Sequence, residues 1–253
     1  MIERLIRKLE NYGPVSEEER RFLEQPPSQV RDYRPHEDIA REGDCPGGSY
    51  LVVEGFTCRY KLLPGGTRQI VALHVPGDFC DLHSFALKRM DHSIAAVSQC
   101  RIVRFPHTIF NDITERYPQL TRALLWDAAI DGAIMRQWMV SMGRRSAYQQ
   151  IAHLLCELFL RLRFVGLVKG DSFELPATQE ELGDAFGLSA VHVNRTLQEL
   201  RRDGLIASKS KLVTIPDLER LKEAAGFDPA YLHVRGEAID NVNQPPPAPS
   251  APG

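Results

Sequence analysis

The stretch "TQEELGDAFGLSAVHVNRTLQELRRDGLI", Thr178 to Ile206, decides the architecture. Thr178 followed three residues later by Glu181 is a capping box, the pattern that starts a helix by satisfying its free N–H groups. Leu182, Ala185 and Phe186 give that helix an apolar stripe. Gly187 ends it where a tight turn needs a positive φ. Ser189 can cap a second helix, with Val193, Leu197 and Leu200 facing inward. Two short helices around a Gly-containing turn make a helix-turn-helix, a motif whose second helix enters the major groove of DNA. On that helix Ala190, Val191, His192, Asn194 and Arg195 face outward or nearly so. Arg195 can contact a guanine with two hydrogen bonds, and Asn194 or His192 can donate to a base or phosphate.

Downstream, "LIASKSKLVTI" reads as two strands around a Lys-rich turn, a wing that lays Lys209 and Lys211 along phosphates. Residues 189–215 carry a local excess of three positive charges, although the chain's net charge is −2. Whole-chain charge therefore selects no partner, and a nucleic-acid surface has to be a local patch.

Upstream, "SAYQQIAHLLCELFLRLRFVG" is a helix with Ile151, Leu154, Leu155, Leu158 and Leu162 on one face, and His153 and Cys156 are expected only to pack or face solvent. Before it, "YPQLTRALLWDAAIDGAIMRQWMVSMG" is a long candidate helix. Leu124, Ala128, Asp131, Met135, Trp138 and Met142 alternate at spacings of four and three, a coiled-coil seam whose apolar stripe either packs against its own domain or, as favoured here, pairs with a second copy. Asp131 and Gly132 are imperfections in it. Residues 28–106 read as short β-rich runs separated by turns such as Pro64-Gly65-Gly66 and Pro76-Gly77-Asp78, which predicts a sandwich or barrel. Two short helices precede it, and the Pro-rich tail at 241–253 is expected to be disordered.

Five scattered cysteines without a CxxC pair argue against a disulfide framework and against a zinc or iron–sulfur site of ordinary spacing. No cofactor and no metal is expected. The N-terminus mixes acids and bases too evenly for a signal peptide, and no apolar run suffices to span a membrane. A cytoplasmic protein with reduced thiols is the expectation. No nucleophile-elbow, metal-helix or Gly-rich phosphate motif points to an enzyme.

The order of β-roll, long helix and winged helix-turn-helix resembles the CRP/FNR family of transcription regulators. The resemblance rests on "PGDF" (Pro76 to Phe79), the long helix, "IAHLLCEL" (Ile151 to Leu158) and the helix-turn-helix stretch. It implies an α+β fold with a cyclic-nucleotide-binding-like jelly roll over 1–115. A dimerisation helix over 116–143 and a winged helix-turn-helix over 144–220 follow. It also implies a homodimer on a two-fold symmetric double-stranded DNA site, with RNA polymerase as a further partner.

Family members that bind cyclic AMP carry a Gly-Glu pair after "GDF" and a later Arg-Ser. Here those positions read Asp81-Leu82 and His92-Ser93, so the ribose acceptor and the fixed cation are gone. Loss of cyclic-nucleotide binding is expected, with Asp81, Leu82, His83, His92 and Ser93 forming a degenerate pocket. His83 lies near the His of the family's haem-binding carbon monoxide sensor, but the matching Cys position is Asp81, which disfavours haem. A different small ligand, thiol oxidation, or control by protein level as in FixK-like members stay open. Val191 stands where the best-known members place a cytosine-reading Glu, whereas Arg195 matches their guanine-reading Arg.

Overall fold

In the computed structural model, which describes residues 2–25 and 29–233, two short helices come first, α1 (Glu3–Tyr12) and α2 (Glu17–Glu24). The capping box that opens α2 is formed: Ser16 Oγ accepts from the Glu19 amide at 3.2 Å, and Glu19 Oε2 accepts from the Ser16 amide at 2.8 Å. Seven strands follow: β1 (Gln29–Tyr33), β2 (Asp38–Ala40), β3 (Gly48–Glu54), β4 (Thr57–Leu62), β5 (Arg68–His74), β6 (Ser93–Ala96) and β7 (Cys100–Pro106). They pair antiparallel in two sheets ordered β1-β7-β3 and β2-β6-β4-β5. The β4–β5 hairpin closes through Pro64-Gly65-Gly66, with Gly66 at φ +84° where a side chain would be strained. A one-turn helix, α3 (Ser84–Leu87), lies between β5 and β6.

The β-rich character expected over 28–106 is realised in these strands; the apolar stretch Ser93–Cys100 is split between two of them, its last residue opening β7. β1 and β2 had no legible signal; four of the five residues of β1 are exposed, so no alternation marks it.

Helix α4 (His107–Arg116) leads into α5 (Pro118–Arg144), the expected long helix, with Pro118 at a first-turn position that needs no N–H. Its buried line runs through Leu120, Leu124, Ile130, Ile134 and Trp138. This corrects two of the seam residues. Leu124 packs with Leu120 and Ala123 in the N-terminal core, and Trp138 donates from Nε1 to Glu157 Oε2 at 3.3 Å inside its own chain. Ala128, Met135 and Met142 are exposed, joined by Leu125 and Met139. The exposed line is thus set one residue from the expected one at these two places. Asp131 leaves the seam as well: its carboxylate takes Arg59 Nη1 at 2.9 Å.

α6 (Ala147–Phe164), β8 (Ser172–Glu174), α7 (Gln179–Phe186), α8 (Ala190–Arg202), β9 (Ala207–Lys209), β10 (Leu212–Thr214) and α9 (Leu218–Ala225) build the C-terminal part, with a short 3-10 helix at Pro229–Leu232. The folded C-terminal part therefore runs past residue 220, because α9 packs on α6. The tail at 241–253 lies outside the described residues.

One apolar core joins both halves: Phe56, Ile70 and Val75 of the roll meet Ile134 of α5, Leu155 of α6 and Phe186 of α7. His153 and Cys156 are buried on α6. The His153 ring stacks on Tyr231 and meets Phe227 edge-on at a centroid distance of 4.7 Å.

Burial, with a smaller push from Arg145, lowers the His153 pKa from 6.5 to about 3. A depressed pKa contributes stability that is complete above the unfolded value and is lost as pH falls toward the folded one. Between pH 6.5 and pH 5 the loss should be about 2 kcal/mol, at about 1.4 kcal/mol per pH unit. Urea melts of His153→Gln should show a shallower decline of stability over that range than the parent. Parallel declines would remove His153 as the cause.

Candidate nucleic-acid interface and the adjoining β-roll

The helix-turn-helix forms as its sequence dictates. Thr178 Oγ1 accepts from the Glu181 amide at 3.1 Å, and Glu181 Oε2 accepts from the Thr178 amide at 2.8 Å. Gly187 ends α7 at φ +69°. Ser189 Oγ accepts from the His192 amide at 3.2 Å and starts α8. The inward line of α8 is Val193, Thr196 and Leu200; Leu197 is only partly buried against the same core.

The outward face of α8 carries the residues expected to meet bases. Arg195 is exposed, and Val191 is an apolar side chain 81% exposed. Ala190 and His192 are half-buried. Asn194 is already engaged: its Nδ2 donates to Gln179 Oε1 at 3.1 Å and its Oδ1 accepts from Gln198 at 2.8 Å. That network ties the two helices together and orients Asn194. The wing forms from the antiparallel order β8-β10-β9, with Ser210 in the left-handed region at its tip and Lys209 and Lys211 exposed on either side.

Sequence reading missed Gly183. A Cβ placed there would lie 2.4 Å from the Leu188 carbonyl oxygen, so only glycine lets α7 approach the turn this closely. A glycine inside a helix pattern was the available signal.

The helix-turn-helix is fastened to the roll. Arg68 Nε donates to Asp184 Oδ2 at 2.7 Å, Gln69 Nε2 donates to the Ala185 carbonyl at 3.1 Å, and His36 Nδ1 lies 3.4 Å from Glu181 Oε1.

The degenerate pocket residues are scattered in role. Asp81 is fully buried; its Oδ1 accepts from the Tyr50 amide at 2.7 Å and its Oδ2 has no partner. Burial raises its pKa to about 6. Leu82 packs partly buried beside Phe79, and Ser93 Oγ accepts from the Glu42 amide at 3.0 Å. His92 is buried with Nε2 unpartnered, and burial followed by the charge of Arg59 lowers its pKa to about 4. His92 and His83 come together with Asp91, a residue that sequence reading did not single out. Arg59 itself is 3% exposed, and its guanidinium donates twice to the Cys80 carbonyl, at 2.7 and 3.2 Å, besides holding Asp131. A separate cavity of about 50 Å³ between the roll, α1, α5 and α6 is lined by Lys8, His74, Asp78 and Arg161. It has room for a few waters, far below the roughly 300–1,000 Å³ of a small-molecule site. Of the cysteines only Cys45 is exposed; Cys80 is fully buried against Thr57, and burial pushes its thiol pKa well up.

Fold and interface together define a helix-turn-helix regulator built on a cyclic-nucleotide-binding-type roll. A cyclic nucleotide-binding domain model matches residues 30–117, and a Crp-like helix-turn-helix domain model matches residues 149–224. The nitrogen fixation regulation protein FixK of Bradyrhizobium diazoefficiens is 35% identical over 196 residues, covering 75% of this chain and 78% of that protein. The transcriptional activatory protein AadR of Rhodopseudomonas palustris is 32% identical over 222 residues, covering 85% of each. The structure of FixK2 from Bradyrhizobium japonicum superposes with a TM-score of 0.71 at 26% identity, over 79% of this chain and 98% of that one. The chain belongs to the CRP/FNR family of transcription regulators, with a helix-turn-helix DNA-binding domain. Its relatives are regulators, not enzymes. Among the described residues no helix is long and apolar enough to cross a membrane.

Gly183→Ala forces the Leu188 carbonyl to move, at a cost of about 1–3 kcal/mol as an overpacked site. Thermal melts should show the loss, and DNA affinity should fall with it. A melt unchanged from the parent would mean that the turn relaxes freely.

Proposed function

We propose that the protein is a homodimeric, sequence-specific DNA-binding regulator whose α8 enters the major groove of a two-fold symmetric site. The observation that carries this is the composition of the outward face of α8. Arg195 and Val191 stand free at its N-terminal half, while Lys209 and Lys211 flank them on the wing. Arg195 supplies a bidentate donor to guanine, and Val191 an apolar contact of the kind that suits a thymine methyl. The Lys pair supplies phosphate contacts without sequence content. Thr178 and Ser189 act as caps that hold amide-rich helix starts toward the backbone.

The dimer reading rests on the apolar face that α5 leaves uncovered, Leu125, Ala128, Met135, Met139 and Met142, with Gly132 between. These fall at alternating spacings of three and four, the pattern of a helix-pair seam. RNA polymerase is a further partner, and the cytoplasm the setting, in line with a transcription role.

Cyclic-nucleotide binding is lost in this reading. A phosphate entering the roll would find Arg59 already paired with Asp131, an Asp81 carboxylate, and a neutral His92 where relatives place a cation. Redox sensing narrows to Cys45, because the other thiols are buried.

Two measurements test these assignments. Arg195→Ala should cost about 1–3 kcal/mol on the selected site and relax preference at one base pair, whereas Lys209→Ala and Lys211→Ala should weaken all sequences alike and lower the salt slope by about one each. An Arg195→Ala protein with the parent's affinity and specificity would sink the groove assignment. Met139→Glu places a charge in the seam and should convert the dimer to monomer by sedimentation without altering its melt as a monomer; a retained dimer would overturn the seam.

A further inference from the structure

His83 is separated in sequence from the adjacent Asp91 and His92 by a helical turn and a loop, yet each of the three offers one ligand atom within 4.8 Å of the others. Asp91 Oδ1 lies 2.6 Å from His92 Nδ1 and 3.8 Å from His83 Nε2, and the two imidazole rings sit 5.2 Å apart. The chain is pinned to bring them together. α3 stops at Lys88, which adopts φ +62°. Met90 is buried; its amide donates to the Asp44 carbonyl at 2.9 Å, and its carbonyl accepts from the Gly43 amide at 2.8 Å. The anchored Met90 presents Asp91 at the surface and sends His92 inward at the start of β6.

We propose that His83, Asp91 and His92 form a binding site for a divalent first-row transition-metal ion on the rim of the β-roll. The donor set is two imidazole nitrogens and one carboxylate oxygen, which favours zinc, iron, cobalt or nickel over magnesium or calcium. His92 has a second nitrogen, Nε2, buried with no hydrogen-bond partner, so the ring is not locked in place by a bond on that side. Metal–ligand lengths of about 2.0–2.2 Å set donor atoms roughly 3–3.5 Å apart, so the Asp91–His92 contact must open while His83 moves in toward both. His83 and Asp91 have the freedom for this, with side chains 33% and 75% exposed. The exposed side of the cluster leaves remaining coordination positions to water. Two cations lie close by and each has its own counter-charge: Lys61, whose Nζ donates to the Asp91 carbonyl, pairs with Glu42, and Arg59 pairs with Asp131 at 2.9 Å. Cys80 is not a ligand, because its sulfur is turned to Thr57 inside the roll.

The ion site stands independently of the DNA-binding reading, and its test uses no DNA. Full-length protein, stripped with chelator, is titrated with Co²⁺ and followed by its visible absorption. One equivalent should bind saturably, without the near-ultraviolet band of a cobalt–thiolate bond, and Zn²⁺ should displace it. His83→Ala and Asp91→Asn, both at the exposed rim, should each weaken Co²⁺ binding at least tenfold while their metal-free melts match the parent. Cys45→Ser and His36→Ala should leave binding unchanged. Absence of saturable binding, parental affinity in both rim variants, or loss of binding in Cys45→Ser would overturn the site.

Discussion

The carboxylate of Asp78 is the point on which the arrangement of the halves depends. It sits in the turn between β5 and α3, fully within the protein, and takes Lys8 Nζ of α1 and Arg161 Nη2 of α6, each at 2.6 Å. Its second oxygen also accepts from the Val75 amide at 2.8 Å, which fixes the turn. Burial works against ionisation, but the charges of Lys8 and Arg161 outweigh it and hold the carboxyl far below its usual range. Arg161 continues the chain of contacts to the Leu73 carbonyl and to Glu157, and Glu157 takes Trp138 Nε1 and the Tyr231 hydroxyl. One ionic network therefore runs from α1 through the roll to α6, α5 and the C-terminal 3-10 helix. Such a network adds little net stability over apolar packing, but deleting one member strands a buried charge at about 3–5 kcal/mol. Its value lies in direction: charges and hydrogen bonds accept few geometries, whereas the shared apolar core would tolerate sliding.

With α6 fixed, the rest follows. α8 packs on α6, and α7 packs on α8 and reaches back to β5 through Arg68 and Gln69, so α8 is presented with its outward face clear. α5 is committed on one side to this core and left uncovered on the other. Among the described residues this 27-residue helix buries one apolar face and leaves Leu125, Met135, Met139 and Met142 exposed on the other.

That two-sidedness explains where sequence reading fell short. The caps at Thr178 and Ser189 and the turn glycine at 187 were legible because each is a local rule with a local cause. The hairpin turns of the roll were legible for the same reason. On α5 the four-three pattern exists in two registers, and sequence could not say which register meets the molecule's own core. Trp138 belongs inside because Glu157 answers its N–H, a partner 19 residues away. Asp131 looked like a flaw in a seam until Arg59, 72 residues distant, supplied its reason. Asp78 was read as a turn residue; that it anchors three elements depends on Lys8 and Arg161, neither adjacent in sequence. The His83–Asp91–His92 cluster matches no spacing motif because a pinned loop, not a helix or strand period, creates it.

The same distant pairing bears on what fills the roll. A guanidinium buried beside the carbonyl of Cys80 needs an anion, and α5 provides one of its own in Asp131. An external phosphate would have to displace a carboxylate already 2.9 Å from the cation and leave that carboxylate, itself close to His74 and Asp78, without its counter-charge. The Arg59–Asp131 pair thus ties the roll to the long helix as part of the fold.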